Sequence, residues 1–313
     1  MTNAHEARKK RIAAVVVTYN RKDLLLECVE HLRKQDLGAY GDDCSLDILI
    51  CDNASTDGTA EALSFLIEER AVRYFNTGAN LGGAGGFNYG MKQAVLDGYD
   101  YLWVMDDDCM THADSLRGLL WAIEAVGGDF GFLSSVTRWT DGSICRANIQ
   151  QHPWAHDITD FSLPLQPCTY ATFVSLLVPA AMVLKEGLPI KEFFIWSDDW
   201  EFTRRLSLKY PCYVVGESVV THASKSNGAG AIATVSPDRL DNYRRLYRND
   251  VYVYRKEGLK GYAYLATRAL LHIGKVLVLS KGDRLMKIKI ILASSLEGMR
   301  FNPPIEYVST KEA

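Results

Sequence analysis

The chain has 313 residues, 48% of them apolar and 23% charged, an ordinary balance for a soluble globular protein of one large α/β domain or a domain with an appendage. The formal charge of −3 hides an asymmetry: residues 1–238 carry 20 Lys and Arg against 31 Asp and Glu, whereas residues 239–313 carry 15 against 7. The acidic body, without a basic-aromatic module, argues against a nucleic-acid partner, and seven scattered cysteines with no C-x-x-C pair point to reduced thiols and a cytoplasmic setting.

Met1 to Arg11 is polar and basic, and Ile12–Val17 is too short for the apolar core of a signal peptide. No run reaches the ~18 uninterrupted apolar residues of a transmembrane helix. Ile12–Val17 instead reads as a buried parallel strand ending at Thr18-Tyr19-Asn20. Leu24, Leu25, Cys28, Val29 and Leu32 mark a helix over Asp23–Gln35. Leu46–Cys51 is the next strand, closed by the turn cluster Asp52–Thr59, which offers caps for a helix Ala60–Glu69. A short strand, Val72–Asn76, precedes the glycine-rich Asn80–Gly86 and a helix Phe87–Asp97.

Tyr101–Met105 is a strand that runs into Asp106-Asp107-Asp108, and a helix Ser115–Val126 follows. Three adjacent carboxylates repel one another and are costly to bury without a cation or donor. Asp106 and Asp108 on one side of a loop suit a hard divalent ion; the alternative is a polar turn after a core strand. Strand–helix alternation implies βαβ units and a mostly parallel, doubly wound sheet, whose ligands bind beyond the carboxyl ends of the strands. Thr18–Asn20, Asp52–Asp57 and Asp106–Asp108 all fall at such ends. An acceptor at Asp52 could read the imide N–H of uracil or thymine, or simply start its turn.

Later, Gly131–Val136 reads as a strand, Gln150–Pro167 as a loop over the site, and Thr169–Leu184 as a strand pair broken near Pro179. In Phe193–Phe202, Asp198, Asp199 and Glu201 are interleaved with Trp196 and Trp200 just before a helix Trp200–Lys209, with Ser197 or Asp198 as its cap. Aromatic faces stack on sugar rings, and a carboxylate beside them can act as general base toward a hydroxyl. The acids alone would also suit a helix N-terminus. His222, just past a strand Val214–Val220, could complete a metal shell or serve as a structural histidine. Helices follow over Leu240–Lys256, Ala263–Leu279 and Lys287–Glu297.

The order Val15–Arg21, Asp52–Gly58, Asn80–Gly83, Met105–Asp108 resembles the family-two inverting glycosyltransferases of GT-A fold. Trp196–Phe202 with Thr221-His222 resembles, within that family, the bacterial galactofuranosyltransferases. The likeness spans roughly residues 12–225, leaving a catalytic domain at 1–238 and a basic helical segment at 239–313. It implies that Thr18 and Asn20 line a nucleoside and that Asp52 faces the base. Arg21, Asn80, Gly83 and Asp107, inside the same motifs, go with them to the nucleotide sugar. Asp106 would sit near ribose and metal, and Asp108 and His222 would bind Mn²⁺ or Mg²⁺. Asp199 would deprotonate the acceptor, Asp198 could share that role, and Trp196, Trp200 and Glu201 would contact sugar. The implied reaction takes UDP-galactofuranose to a lipid-linked glycan of the cell surface. The alternatives are a rhamnosyltransferase using dTDP-rhamnose and a glycan-binding protein with a degenerate site. The basic, apolar-striped tail suggests a peripheral position on an anionic inner leaflet, or packing on the body or on a second subunit of a homo-oligomer.

Overall fold

The computed structural model of the chain describes residues 8–228 and 230–309, so most of the polar N-terminal segment lies outside the described residues. Strand β1 (Lys10–Thr18) is flanked by β2 (Cys44–Asp52), with β3 (Arg73–Asn76) beyond it, and by β4 (Tyr101–Asp106), all parallel. The apolar run of β1 is continuous because both faces are covered. Ala13, Val15 and Val17 enter one core, whereas Ile12, Ala14 and Val16 enter the other. Helices α1 (Lys22–Arg33), α2 (Gly82–Leu96) and α3 (Ser115–Ala125) supply the covering layers.

The rest of the sheet is mixed. Strands β5 (Cys109–Thr111), β6 (Leu133–Trp139), β7 (Leu165–Pro167), β8 (Leu176–Pro179) and β9 (Tyr213–His222) extend it in the order β3-β2-β1-β4-β8-β6-β9-β5, with β7 also paired to β9. The expected doubly wound α/β architecture is therefore present, with parallel pairing concentrated in its first half. Two sequence expectations fail in the second half. Only Leu176–Pro179 of the region 169–184 is a strand, because Pro179 caps a helix α4 (Ala180–Glu186) rather than interrupting a strand pair. His222, expected just past the strand Val214–Val220, is itself the last residue of β9.

Register fixes the working edge. Thr18 lies level with Asp52, and Val17 with Asp106. His222 pairs with Cys109, and the Ala223 N–H donates to the Asp108 carbonyl at 2.8 Å. Most of the glycine-rich segment, Gly82 to Gly86, is the opening of α2. A Cβ on Gly82 would lie 2.0 Å from the Phe194 carbonyl oxygen, and one on Gly86 2.4 Å from Val17 Cγ1. These glycines admit neighbouring protein, whereas Gly83 faces open space.

Helix α5 (Asp198–Ser207) carries the later acids, and α6 (Leu240–Arg255), α7 (Gly258–Leu279) and α8 (Arg284–Arg300) close the chain. The helices beyond residue 238 share cores with the body: Ile190 and Phe193 pack with Tyr252, Val253 and Tyr254. The final strap returns Val308 to the main core, and Glu306 pairs with Lys92 and Lys191. Helix α7 is long and apolar enough to cross a membrane by length and composition, although Arg268 and Lys275 interrupt it.

Gly82 has φ +72° as well as no room for a side chain. Gly82→Ala should lower unfolding stability by roughly 2 kcal/mol, as strain and overlap add. Gly83→Ala, in open space, should change it by less than ~1 kcal/mol. Denaturant unfolding of the two variants measures both.

Candidate active site

Strand β4 delivers the three aspartates to a turn where water is largely excluded: Asp107 and Asp108 are buried, and Asp106 is half-buried. Each of the buried pair has its own partners. The Thr18 hydroxyl donates to Asp107 at 2.7 Å, and Arg21 reaches Asp107 at 3.0 Å and also Asp108. His222 Nε2 lies 3.0 Å from Asp108 Oδ1, while its Nδ1 is 3.6 Å from the sulfur of buried Cys145.

The electrostatics follow. Burial would raise the Asp108 pKa, but the hydrogen bond and charge of His222, with Arg21, hold it at about 2. Burial opposes charge on His222, yet its bonds to Asp108 and Cys145 and the nearby acids raise it to about 10. Asp106 accepts no side-chain hydrogen bond among the described residues, and burial next to Asp108 pushes it up to about 7. Burial also raises Asp107 to about 6, with Arg21 offsetting part of the effect.

Asp106, Asp108 and His222 bring one donor atom each within 4.8 Å of one another. Two carboxylate oxygens and an imidazole nitrogen at that span suit a divalent metal cation. A cation there would displace the proton that His222 shares with Asp108.

The second acidic segment arrives from α5. Its approach is strained: Phe194, Trp196 and Ser197 have φ of 65°, 64° and 66°. The Ile195 N–H donates to the Phe193 carbonyl at 2.8 Å, closing a γ-turn at Phe194 of the rarer, strained kind. Such residues cost of order 1–3 kcal/mol each and persist only where the surroundings enforce them. Ser197 is the N-cap position, yet its side chain makes no cap bond; its hydroxyl donates to Asp250 at 2.8 Å. Burial raises Asp198 to about 6. Asp199 is driven well above the usual carboxylate range by burial, by Asp198 and, further off, by Asp106. That last influence brings the two acidic segments into one electrostatic neighbourhood.

Other sequence candidates are placed differently. Asp52 is fully buried; it accepts the Ser55 N–H at 2.8 Å and the Tyr74 hydroxyl at 2.6 Å, so its carboxylate serves the turn. Asn20 ties the same loops, accepting the Thr56 N–H at 2.7 Å, and leaves Tyr19 exposed at the strand end. Thr18 is buried beneath Asp107. Asn80 accepts the Gly82 N–H at 2.9 Å and so begins α2. Glu201 is buried in ion pairs with Arg205 at 3.0 Å and Lys256 at 3.3 Å, which makes it a brace rather than a sugar contact. Trp196 meets Tyr243 edge-on at 5.2 Å and Trp200 leans on Tyr170 at 5.0 Å, so both indoles are partly engaged within the protein. The sequence reading missed Asn249, whose amide Nδ2 reaches the carbonyls of Phe193, Ile195 and Trp196 at 3.0, 3.2 and 3.0 Å. Its only signal is a short polar pair, Asn249-Asp250, within the buried stretch Asn249–Tyr254.

Residues 13–146 match the family described as glycosyl transferase family 2. The chain is 26% identical over 282 residues to galactofuranosyltransferase GlfT1 of Mycobacterium tuberculosis, covering 82% of this chain and 90% of that one. Among solved structures it is similar to GalNAc-T7 with UDP, GalNAc and Mn²⁺, with a TM-score of 0.62 and 15% identity over 94% of this chain and 56% of that one. It is also similar to the mannosyltransferase PcManGT from Pyrobaculum calidifontis in complex with GDP-Man and Mn²⁺, with a TM-score of 0.56 and 18% identity over 93% of this chain and 87% of that one.

Arg21 neutralises Asp107 and Asp108 in the cation-free protein. Arg21→Ala should lower the thermal midpoint by roughly 2–4 °C, the shift that follows a loss of ~1 kcal/mol in a protein of this size. The effect is modest because the guanidinium is 40% exposed. Saturating Mn²⁺ should restore most of it, and thermal melts with and without the ion measure both parts.

Proposed function

We propose that this chain, a glycosyltransferase with a family-two domain on the GT-A fold, moves galactofuranose from UDP-galactofuranose to a lipid-linked glycan in one inverting step. The observation that carries the reading is the cluster of Asp106, Asp108 and His222 at the strand ends, with Asp199 near enough to feel the charge of Asp106. The likeness to a galactofuranosyltransferase over most of both chains supports the donor.

Mn²⁺ or Mg²⁺ held by Asp106, Asp108 and His222 would neutralise the departing diphosphate. The residues of the chain divide the remaining work. The exposed ring of Tyr19, beside the turns fixed by Asn20 and Asp52, offers a face for the nucleoside base. Asp199 stands apart from the cation acids on a helix start, a firm support for a reacting group. Its carboxylate accepts the Trp200 N–H at 2.7 Å and has no side-chain partner among the described residues, which leaves an oxygen free to receive an acceptor proton. Asp198 is buried beside it.

The basic C-terminal helices support a location at the inner face of the membrane. Leu270, Leu271, Val278, Leu285 and Leu296 are exposed there among an excess of Lys and Arg. Basic side chains near an anionic leaflet contribute on the order of 1 kcal/mol each, screened by salt.

Asp199→Asn should bind UDP with Mn²⁺ normally while turnover falls ~100- to 10,000-fold. Asp108→Ala and His222→Ala should weaken cation-assisted UDP binding itself. Calorimetric titration and release of UDP from a nucleotide-sugar panel separate these outcomes; normal turnover in both Asp199→Asn and Asp198→Asn sinks the mechanism.

In flotation assays the protein should rise with anionic vesicles at low salt and dissociate at high salt. Absence of binding at low salt overturns the surface assignment, and resistance to alkaline extraction would make α7 a membrane span.

A further inference from the structure

The strained turn before α5 does not hold itself. Inside α6, Asn249 is wholly buried, and its one amide group serves three carbonyls of Phe193–Trp196. An amide NH₂ has two hydrogens, so one of them is shared between acceptors. Only a neutral donor of this length fits, because an aspartate there would set a carboxylate against three carbonyl oxygens. The next residue, Asp250, accepts the Ser197 hydroxyl at 2.8 Å and is itself paired with Arg268 of α7. From the opposite side, the Ala84 N–H at the start of α2 donates to the Phe194 carbonyl at 3.1 Å.

Resting on the transferase reading above, we infer that Asn249 and Asp250 are positioning residues: they hold Phe193–Ser197 in the conformation that presents Asp198 and Asp199 to the acceptor. Neither residue belongs to the cation cluster, and each acts through the turn. The segment beyond residue 238 is thus part of the catalytic apparatus as well as a candidate membrane face. Arg268 extends the connection to α7, the most exposed apolar helix, so whatever engages that helix also bears on Asp250.

The test uses the full chain and two independent readouts. In Asn249→Ala, amide hydrogen exchange at residues 194–199 should rise at least ~10-fold while β1 and β4 stay protected. Turnover should fall ~10- to 100-fold, the scale of a small misplacement of a reacting group, with the donor KM within ~2-fold of wild type. Asp250→Asn, which keeps an acceptor for Ser197, should recover most of the turnover lost in Asp250→Ala. Unchanged exchange at 194–199 in folded Asn249→Ala overturns the inference. So does exchange that rises throughout the body together with KM, which would mark a general loosening. If Asn249→Ala does not fold, Ser197→Ala, which removes one hydroxyl, is judged on the same readouts. A wild-type protein inert toward every nucleotide sugar would sink the transferase reading, and hydrogen exchange alone would then decide the positioning role.

Discussion

The constraint on which the molecule turns is the presence of three consecutive carboxylates at the end of a strand buried on both faces. Ionised carboxylates in a water-poor turn demand opposite charge or donors, and the surrounding fold supplies them from distant parts of the chain. Thr18 and Arg21 come from the end of β1 and the turn after it, and His222 comes from the end of β9. The partners are not evenly shared. Asp108 is fully compensated by His222 and Arg21, whereas Asp106 is left to hold its proton close to neutrality. A divalent cation would relieve that imbalance, replacing the proton on His222 and the one on Asp106 with two positive charges. His222 is thus both a partner of Asp108 in the cation-free protein and a residue the ion would engage.

A second constraint sits opposite the first. The turn that leads into α5 holds three non-glycine residues at positive φ, a conformation no local preference would select. It exists because α2 and α6 close on it from two sides. Gly82 gives the Phe194 carbonyl room to approach, and Asn249 and Asp250 fix the carbonyls and the serine that follow. The helices after residue 238 are therefore integral to the site, although their composition sets them apart from the acidic body.

The acids and aromatics of this region also show how alike structural and chemical roles look in a linear chain. Glu201 and Asp52 are buried acids like Asp108, and each has its oxygens engaged by protein partners. Trp196 and Trp200 stand beside the acids as sugar platforms would, yet each already rests on a tyrosine.

The sequence by itself determined the doubly wound first half, because runs such as Ile12–Val17 and Tyr101–Met105 can be satisfied only by burial on both faces, and because turn residues after them fix the strand ends. From that geometry the grouping of Thr18, Asp52 and Asp106 at one edge was legible, since parallel register aligns strand ends without reference to distant contacts. His222 was legible only in pattern, as a residue near the end of a later strand. Tertiary structure alone decided the rest. It placed most of the glycine-rich run in a helix packed against Phe194. It converted the end of the expected strand pair into α4, and it chose Asn249 and Asp250 as supports for the strained turn before α5. The physical reason is the same in each case: hydrophobic periodicity and turn chemistry are local, whereas close backbone approach, strain and the pairing of buried polar groups depend on which segments meet.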